Sequence, residues 1–390
     1  MADYRYLCTN LLTNQVIAEL PLTGVTYSQA LNEAGSFDGH MILSDIRTQQ
    51  TLGTYSTANT FTLDNVTTTG KTGLYVERDG IIVWGGIIWS RQYDSASQTL
   101  SIGGREFESY YDRRRVNNDQ VFAAGTDQFS IVNSLLTQAN NQPSGNIGVV
   151  MQSPLGSSVG MPSAYPIWDN EKRTVFDVVR DLSRQSTPYG FDFAINCAYD
   201  SNKNLTRTFN LYYPRKGQSY STNAFQPMLE FPGSMLYYAY PEDGGSMANR
   251  MYGAGQQGYV YTATNYDALA EGFPLLEDSV SFVQIPNPLV VNSMTEGEVS
   301  ARALPVTVLT ASWSPTTDPI EYGVDGQLIT ADVGMVFGSF QTGDVFRIRI
   351  TDDRFPTTLE TSLRLQKFDV RVGDGGTAEI INGSFVLPTY

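Results

Sequence analysis

Short runs of alternating apolar and polar residues dominate the first hundred positions of the chain, and residues 73–104 show this pattern most clearly. Alternation with a period of two is typical of strands that are buried on one face. The strands predicted in this segment are residues 74–77, 81–84, 87–93 and 99–103. Asp79 and Gly80 form an Asp-Gly turn between the first two strands, and the pair Gly85 and Gly86 predicts a bulge or a bend. The segment is therefore predicted to be a β-meander.

Further short strands precede the meander, so that about seven strands fall within the first hundred residues. These earlier strands are predicted at residues 4–8, 16–20, 25–31, 37–43 and 61–63. Short strands at such regular spacing, without helical periodicity, are expected of a β-barrel or a β-sandwich.

The period of the pattern changes after residue 104, where two amphipathic helices are predicted. Thr126 is the expected N-cap of the first helix, with Asp127 in its first turn and an apolar face between residues 129 and 139. The second helix covers about residues 173–185. Strands follow at residues 191–195 and 208–213. The Gly-, Ser- and Pro-rich residues 142–166 predict an exposed loop, and the region as a whole predicts a mixed α/β domain.

Strand patterns return after residue 248 and continue to the end of the chain. They are predicted at residues 250–253, 258–264, 306–311, 327–331, 345–351, 363–372 and 377–381. A helix is predicted over residues 292–304, although Gly297 costs about 1 kcal/mol relative to alanine in a helix interior.

These patterns together predict a mainly β fold with an α+β insertion. Two small β-barrel domains flank a mixed α/β domain, and the second barrel carries an insertion. The predicted ranges are residues 1–104 for the first barrel, 105–247 for the α/β domain, 248–265 with 325–390 for the second barrel, and 266–324 for its insertion.

The two β-rich regions end in similar sequences. Residues 91–94 and 99–103 resemble residues 366–369 and 377–381, since each pair consists of an aromatic strand, a turn and an aliphatic strand. This similarity supports a duplication that produced the two barrels.

Length and composition limit the classes of function. A chain of 390 residues is long enough for two or more domains, and its aromatic share of 12% with only 17% charged residues favours extensive β-structure and subunit interfaces. The net charge of −15 disfavours a phosphate-binding surface. The basic run at residues 113–115 is too short to change this, and ion pairs with Asp112 and Asp119 are its expected role.

Two cysteines, Cys8 and Cys197, are too few for a disulfide framework and lack the spacing of a metal or redox motif. The longest apolar run, residues 81–89, is shorter than the roughly 18 residues of a membrane span, and residues 1–7 lack the pattern of a secretion signal. The chain is therefore expected to be made soluble in the cytoplasm, with no membrane span.

No catalytic, cofactor-binding or metal-binding residues are predicted, and no cofactor. The single histidine, His40, lies in an alternating strand and is expected to be structural. The acidic pairs at 277–278 and 352–353 could supply a glycosidase dyad. The four tryptophans could supply a platform for sugar stacking. They are Trp84, Trp89, Trp168 and Trp313.

Three stretches resemble the tail hub, or minor tail, proteins of long-tailed phages that infect actinobacteria. They are LCTNLLTNQVIAELPLTGVTYSQALNEAGSFDGHMIL, VERDGIIVWGGIIWSRQYD and GREFESYYDRRRV, all within the first 116 residues. The order of a β-barrel domain, an α/β domain and a second barrel with an insertion is similar to that family as well.

The resemblance implies a structural, non-enzymatic virion protein. It would form a homotrimeric ring at the distal end of the tail, match a sixfold tail tube to a threefold tip, and pass DNA through its channel during ejection. The implied partners are the distal tail protein or tail tube protein, the tape-measure protein, and other tail-tip proteins or fibres. Two alternatives remain open from the residues alone: a carbohydrate-binding tail-tip module for attachment to the host cell wall, and a cell-wall glycoside hydrolase.

Overall fold

The computed structural model of the chain describes residues 2–45, 48, 63–185, 188–217, 228–283, 285, 287–304, 306–315, 338, 340–373 and 378–387. The described part is mainly β. Its strands are β1 (Tyr4–Asn10), β2 (Val16–Leu20), β3 (Thr23–Ala30), β4 (Ser36–Ile42), β5 (Thr72–Arg78), β6 (Ile81–Asp94), β7 (Thr99–Glu106), β8 (Gln120–Phe122), β9 (Val149–Met151), β10 (Tyr165–Ile167), β11 (Asp192–Tyr199), β12 (Leu205–Tyr212), β13 (Met228–Phe231), β14 (Met235–Ala239), β15 (Glu242–Asp243), β16 (Arg250–Ala254), β17 (Val260–Thr264), β18 (Glu277–Ser281), β19 (Val306–Thr307), β20 (Leu309–Trp313), β21 (Val345–Ile350), β22 (Leu359–Val372) and β23 (Glu379–Val386). Its α-helices are α1 (Leu63–Val66), α2 (Glu108–Tyr111), α3 (Gln128–Asn140), α4 (Val175–Ser183), α5 (Tyr266–Ala270) and α6 (Pro288–Arg302).

The turn between β5 and β6 has the predicted chemistry. Asp79 has a φ of 49° and Gly80 a φ of 81°, so both central residues are left-handed, as a type I′ turn requires. Asn, Asp and Gly tolerate this conformation best, which explains the Asp-Gly pair. The prediction of a hairpin here is confirmed.

The glycine pair in β6 does not form the predicted bulge. The register of β6 shifts beside Val76 and again between Ile88 and Ser90, so the bulges lie on either side of the pair. The glycines instead allow close approach of neighbours. A Cβ atom on Gly85 would lie 2.6 Å from the Cys197 sulfur on β11, and one on Gly86 would lie 2.2 Å from the Arg105 carbonyl oxygen.

Several helix boundaries differ from the predicted ones for local reasons. Helix α3 begins one residue later than expected, because the Asp127 side chain, rather than Thr126, accepts hydrogen bonds from the backbone N–H groups of Phe129 and Ser130. Helix α6 begins at Pro288, where Asn287 caps the first turn. The strand predicted at 61–63 is wrong at Leu63, which starts the short helix α1. The other two residues of that segment and the strand predicted at 327–331 lie outside the described residues.

The largest sheet has 13 strands and includes both β-rich ends of the chain. The first β unit, β1 to β7, follows the order β3-β4-β7-β6-β5-β1-β2. Strands β2 and β3 lie at opposite ends of this order, yet Leu20 and Thr23 are only three residues apart in sequence. A flat sheet would separate these strands by about 29 Å, whereas the connection spans at most about 11 Å. The first unit is therefore strongly curled.

The second β unit consists of β13 to β15 and β19 to β23. Its order across the large sheet is β13-β21-β22-β23-β20-β14. Strands β13 and β14 lie at its two ends, although only three residues connect Phe231 to Met235. A flat sheet would place them about 24 Å apart, while the connection spans at most about 14 Å, so this unit is curled in the same way. No hydrogen-bonded ladder among the described strands closes into a barrel.

Some strands lie outside the ranges that the sequence predicted for them. Residues 228–239 fall in the predicted α/β range but join the second unit, and so does Leu309–Trp313, which falls in the predicted insertion. Strands β16 and β17 fall in the range predicted for the second barrel, but they pair with β18 in a separate three-stranded sheet. Helix α6 packs on that sheet and fixes it there. We call β16 to β18 with α5 and α6 the side region.

The two β units share one hydrophobic core. Its large buried side chains come from both units and include Tyr27, Trp84, Trp313, Phe346 and Phe385. A second core joins the other face of β1, β5 and β6 to the middle region, which comprises β8 to β12 and α2 to α4, and it extends to α6. Because apolar burial is continuous across these contacts, the units are held together by the same force that folds them.

Candidate functional site

The tryptophans do not form the sugar platform that the sequence left open. Trp84 and Trp313 are 1% and 0% exposed, and Trp84 donates a hydrogen bond to the Ser28 carbonyl oxygen. Trp89 is half-buried and donates to the Ser109 hydroxyl at 2.8 Å, and Trp168 is half-buried as well. Stacking on a sugar needs exposed ring faces. Trp84 and Trp313 instead lie within a hydrophobic core, and Trp89 packs against another.

The acidic pairs do not have the chemistry of a glycosidase dyad. Glu277 and Asp278 are neighbours on β18, so their side chains point to opposite faces. A hydrogen bond from Tyr252 lowers the pKa of Glu277, and one from Arg302 lowers the pKa of Asp278. A hydrogen bond from Tyr238 likewise lowers the pKa of Asp352. A catalytic acid needs a raised pKa, so none of the three is suited to that role.

The basic run does not make the expected ion pairs. Arg114 donates to the Ala139 carbonyl oxygen and Arg115 to that of Lys172, while the Arg113 guanidinium stacks over the Trp89 ring. Asp112 pairs with Arg105 instead. The run therefore ties the end of α2 to α3, to Lys172 and to Trp89 of β6.

The single histidine and the two cysteines are at least partly buried. His40 is half-buried in β4, and its ring lies against Gly24. Burial raises the pKa of both cysteine thiols, Cys8 and Cys197, far above the ordinary value. The described residues contain no group of three or more His, Cys, Asp or Glu side chains placed to bind a metal ion. No described helix is long and apolar enough to cross a membrane.

The two β units match strand for strand. Strands β3, β4, β5, β6 and β7 correspond to β14, β20, β21, β22 and β23, because each set has the same neighbours in the same order. Strands β6 and β22 both have 14 residues, and β7 and β23 both have 8. In the first unit, β2 runs parallel to β5, and β1 lies between them and pairs with both. In the second unit, β13 runs parallel to β21 and pairs with it without an intervening strand. The second unit thus lacks a counterpart of β1.

A bulge fixes the register of this match. It lies between Ile88 and Ser90 in β6 and between Leu365 and Lys367 in β22. Ser90 therefore corresponds to Lys367. The alignment of the two sequences paired Gln92 with Lys367 instead, so it differs from the structural correspondence by two residues. A shift of two residues keeps every side chain on the same face of the strand, which is why the sequences still resemble each other.

The two units meet where β22 pairs with β3 in an antiparallel ladder. The ladder joins Lys367 to Ala30 at one end and Arg371 to Thr26 at the other. Val370 and Tyr27 lie opposite each other in it, and both are 0% exposed. We call this ladder the internal junction.

An ion pair reinforces the internal junction. The Arg78 guanidinium on β5 binds the Glu379 carboxylate on β23 through two hydrogen bonds, of 2.6 and 2.8 Å. The Tyr4 hydroxyl also donates to this carboxylate, whose side chain is only 2% exposed. A bidentate, buried geometry of this kind fixes orientation as well as distance.

A buried carboxylate, Asp192 on β11, connects all three parts of the fold. It accepts hydrogen bonds from the Asn32 side chain of the first unit, at 2.7 Å, and from the Arg364 guanidinium of the second unit. The backbone N–H of Lys216 donates to it at 2.7 Å, and Arg215 lies 3.7 Å away. Asp192 itself is 0% exposed. This single side chain therefore sets the positions of both β units relative to the middle region.

Two further carboxylates are buried beside this connection. Glu106 accepts from the Gly35 N–H at 2.6 Å, and Glu108 accepts from the Ile195 N–H at 2.5 Å. Burial raises the pKa of Glu106 well above its ordinary value, and the charge of Glu108 adds to this effect. Burial also raises the pKa of Glu108, from 4.5 to about 7. Burial lowers the pKa of the nearby Lys216 ammonium.

We expect Glu108 to make the stability of the fold depend on pH. Between pH 4.5 and about 7 the folded chain binds more protons at this residue than the unfolded chain does, so the free energy of unfolding falls as pH rises through this window. The loss amounts to about 3 kcal/mol. The variant Glu108→Gln keeps the acceptor for Ile195 and should reduce the slope in urea unfolding measured from pH 4.5 to 8, leaving the part that Glu106 contributes. The exposed Glu271→Gln is the matched control, and identical slopes for all three proteins would contradict the assignment.

Arg207 on β12 joins the first unit to the middle region. Its side chain is 0% exposed, and its guanidinium lies 4.1 Å from the centre of the Phe107 ring. It donates to five oxygens of the described structure. These are the Tyr75 hydroxyl, the Thr9 hydroxyl, the Asn14 amide oxygen and the carbonyl oxygens of Leu11 and Ile147. Every partner is neutral, so the cation is stabilised by hydrogen bonds and aromatic faces.

The described polar centres hold parts of the fold together. Two equivalent, curled β units are held at one fixed angle by a ladder, an ion pair and two buried polar centres. Asp192 and Arg207 are not marked out by any motif in the sequence. The only available signal was a charged residue at an inward position of an alternating strand, as for Arg207 between Leu205 and Phe209.

The curled, duplicated β units and the α/β region between them form the fold of phage tail proteins. Among solved structures, the 43 kDa tail protein of prophage MuSo2 from Shewanella oneidensis matches with a TM-score of 0.58 and 11% identity, over 100% of this chain and 99% of that one. The tail protein from Neisseria meningitidis MC58 matches with a TM-score of 0.55 and 12% identity, over 98% and 96%. A chain of the lidded PdpA-VgrG complex of Francisella matches with a TM-score of 0.53 and 7% identity, over 100% and 54%.

At these identities the likeness establishes the fold. Comparison of the sequence with known proteins found no matching family model and no matching curated protein.

Proposed function

We propose that this chain is a structural, non-enzymatic tail hub of a long-tailed phage. Three copies form a ring at the distal end of the tail, and each copy contributes two equivalent β units. The observation that carries the proposal is the strand-for-strand match of the two units within one sheet. Three chains with two equivalent units each can present six similar positions to a sixfold tube and three to a tip, as a symmetry adaptor must.

In this proposal each β unit acts as a small, open barrel. The short connections that curl both sheets support such a shape. The partners are the distal tail protein or tail tube protein above, the tape-measure protein within, and other tip proteins or fibres below. The narrower assignment to phages of actinobacteria follows from the sequence resemblance alone.

The acidity of the chain suits a channel that DNA must cross. At −15 per chain, a trimer carries a strong negative charge, and carboxylates lining the channel would repel phosphates and prevent the genome from adhering. DNA would be a passing cargo and the virion tail tip the site of action.

The two alternatives have little support. A sugar platform needs exposed indoles, but two of the four are fully buried. A hydrolase needs a carboxyl group with a raised pKa in an accessible place. Among the described residues, the carboxyl groups with strongly raised pKa values are Glu106 and Glu108, and both are buried.

We expect the purified chain to form trimers in solution. Light scattering after size exclusion should give a mass about three times the 43.0 kDa of one chain, and the trimer fraction should rise with concentration. A monomer at every concentration, together with tail maps that place the chain away from the tail axis, would overturn the proposal.

A further inference from the structure

The second half of β6 has a strand neighbour on one side only. Strand β7 pairs with β6 as far as Asp94, whereas β5 pairs with it only over the residues before Ile88. Beyond the bulge, no strand in the described part of the chain is bonded to the edge that faces away from β7. The side chains of residues 91–94 are exposed there.

The corresponding place in the second unit is occupied. Over its first half β22 pairs with β21, and over residues 367–371 the same edge pairs with β3 of the first unit. The edge of β6 at residues 90–94 is therefore the counterpart of the β22 edge in the internal junction.

The counterpart of β3 is also paired on one side only. Ala239 pairs with Thr310 and Glu242 with Thr307, so β14 and β15 form one continuous register along β20 and β19. No described strand is hydrogen-bonded to their other edge, although β13 lies close to β14. Residues 26–30 of β3 correspond to residues 239–243, because Thr26 pairs with Asp38 as Ala239 pairs with Thr310.

We infer that residues 90–94 of one copy pair, antiparallel, with residues 239–243 of the next copy. This interface deepens the proposed ring and rests on it: the contact repeats the internal junction from chain to chain. Each copy then uses the edge of β6 on one side and the edge of β14 and β15 on the other, as a closed ring of head-to-tail contacts requires.

The register taken from the internal junction places complementary residues opposite each other. Phe368 lies opposite Gln29 and Val370 opposite Tyr27. The corresponding pairs across the interface join Arg91 to Glu242 and Tyr93 to Tyr240. Opposite charges and paired aromatic rings at directly opposed positions are the favourable cross-strand combinations. The equivalence of the two units does not require these two residue pairs to be complementary. Their complementarity is therefore independent support for the register.

The proline at position 241 fits the same register. In the internal junction the Leu31 N–H donates to the Gln366 carbonyl oxygen, so alternate residues of β3, including Tyr27 and Gln29, bond to β22. The position between them, Ser28, corresponds to Pro241. The N–H that proline lacks would therefore point away from the neighbouring copy.

Residues 90–94 and 239–243 contain exposed side chains, as expected of strand edges that pair with another copy of the chain. Val370 and Tyr27 are fully buried in the internal junction, whereas Tyr93 is 53% exposed and Tyr240 only half-buried. Next to this edge, Leu236 and Tyr237 of β14 are 56% and 60% exposed. An open strand edge with exposed apolar side chains favours pairing with another chain.

Disulfide cross-linking tests the register directly. Gln92 and Pro241 would be opposed at a non-hydrogen-bonded position, where Cα atoms lie about 4.5 Å apart, within the range of a disulfide. The variant Gln92→Cys with Pro241→Cys should give a ladder on non-reducing gels that ends at three chains. Gln92→Cys with Glu242→Cys is the matched control, because its side chains would point to opposite faces, and it should stay unlinked. Lys367→Cys with Ala30→Cys should link within one chain and reports that the oxidation worked.

The outcomes separate the interface from the hub. A trimer by light scattering without cross-links in the Gln92 and Pro241 variant would overturn the interface and leave the ring. A monomer at every concentration without cross-links would overturn both.

Charge reversal gives a second test that does not depend on cysteine. Arg91→Glu and Glu242→Arg should each raise the concentration at which half of the trimer dissociates by about tenfold, because like charges would then be opposed. The double reversal should restore it to within about threefold of the original chain. If the double reversal weakened the trimer by as much as the two single reversals combined, the pairing would be contradicted.

Discussion

Replacing Arg207 with methionine should destabilise the fold more than any other single change considered for this chain. Methionine fills a similar space but cannot donate, so the carbonyl oxygens of Leu11 and Ile147 would stay buried without donors. The Tyr75 hydroxyl and the Asn14 amide oxygen, which are bonded to each other, would each lose one further donor. Each such loss costs about 1–3 kcal/mol, and we expect the free energy of unfolding to fall by about 4 kcal/mol. Urea unfolding followed by tryptophan fluorescence measures this, since Trp84 and Trp89 lie on the strand that packs beside β11.

Two variants isolate the cause. Arg207→Lys keeps the charge but has a single nitrogen with three donors, so we expect about half of the loss. Arg347→Met removes an exposed arginine whose ion pair with Glu360 lies in solvent, and it should cost less than about 1 kcal/mol. If Arg207→Met and Arg347→Met had similar effects, the role given to the buried guanidinium would be wrong.

Replacing Asp192 with asparagine should have the second largest effect. Asparagine has the same shape, but it would leave the Arg364 guanidinium, which is only 11% exposed, without a buried counter-charge. Breaking one side of a buried pair costs about 3–5 kcal/mol, and we expect about 3 kcal/mol here because asparagine still accepts hydrogen bonds. The nearby Arg215 would lose its carboxylate as well. The loss should appear first as loosening between the β units, seen as faster amide exchange along β22 and β3.

The exposed Asp353→Asn is the control for this substitution, and it should leave both stability and exchange unchanged. A double-mutant cycle of Asp192→Asn with Arg364→Met should give a coupling energy of at least about 1 kcal/mol. Additive effects would mean that the two side chains do not act as a pair.

Much of the fold could be predicted from local pattern. The meander of β5, β6 and β7 follows from alternation and one Asp-Gly turn, and α4 follows from apolar spacing with Thr174 as its cap. These features are decided by residues close in sequence. The predicted architecture of two β-rich ends around an α/β region agrees with this mainly β structure, while the exact domain boundaries and closed barrels stay predictions.

What the sequence could not give is pairing between distant strands. Strand β14, at Met235–Ala239, carries no clean alternation, and its place is fixed by β20 some seventy residues later. Residues 250–254 have a good strand pattern, but α6 and β18 draw them into the side region. Local pattern shows that a strand exists, and tertiary packing decides its sheet.

The polar centres were hidden for the same reason. Asp192, Asn32 and Arg364 lie up to 332 positions apart in the chain, and each looks like an ordinary polar residue in its own segment. Likewise, the proposed pairing of Arg91 with Glu242 becomes visible only after the bulges in β6 and β22 fix the register. The relative position of the two units is thus set by contacts between residues that are distant in sequence.

Cryo-electron microscopy of the purified assembly, and then of the intact tail tip, tests the central claim most directly. The account predicts a threefold ring of six similar β units around an open channel, with β6 of each copy beside β14 of the next. A particle in which the two units of one chain lie at different levels or distances from the axis, or in which no common ring exists, would contradict it.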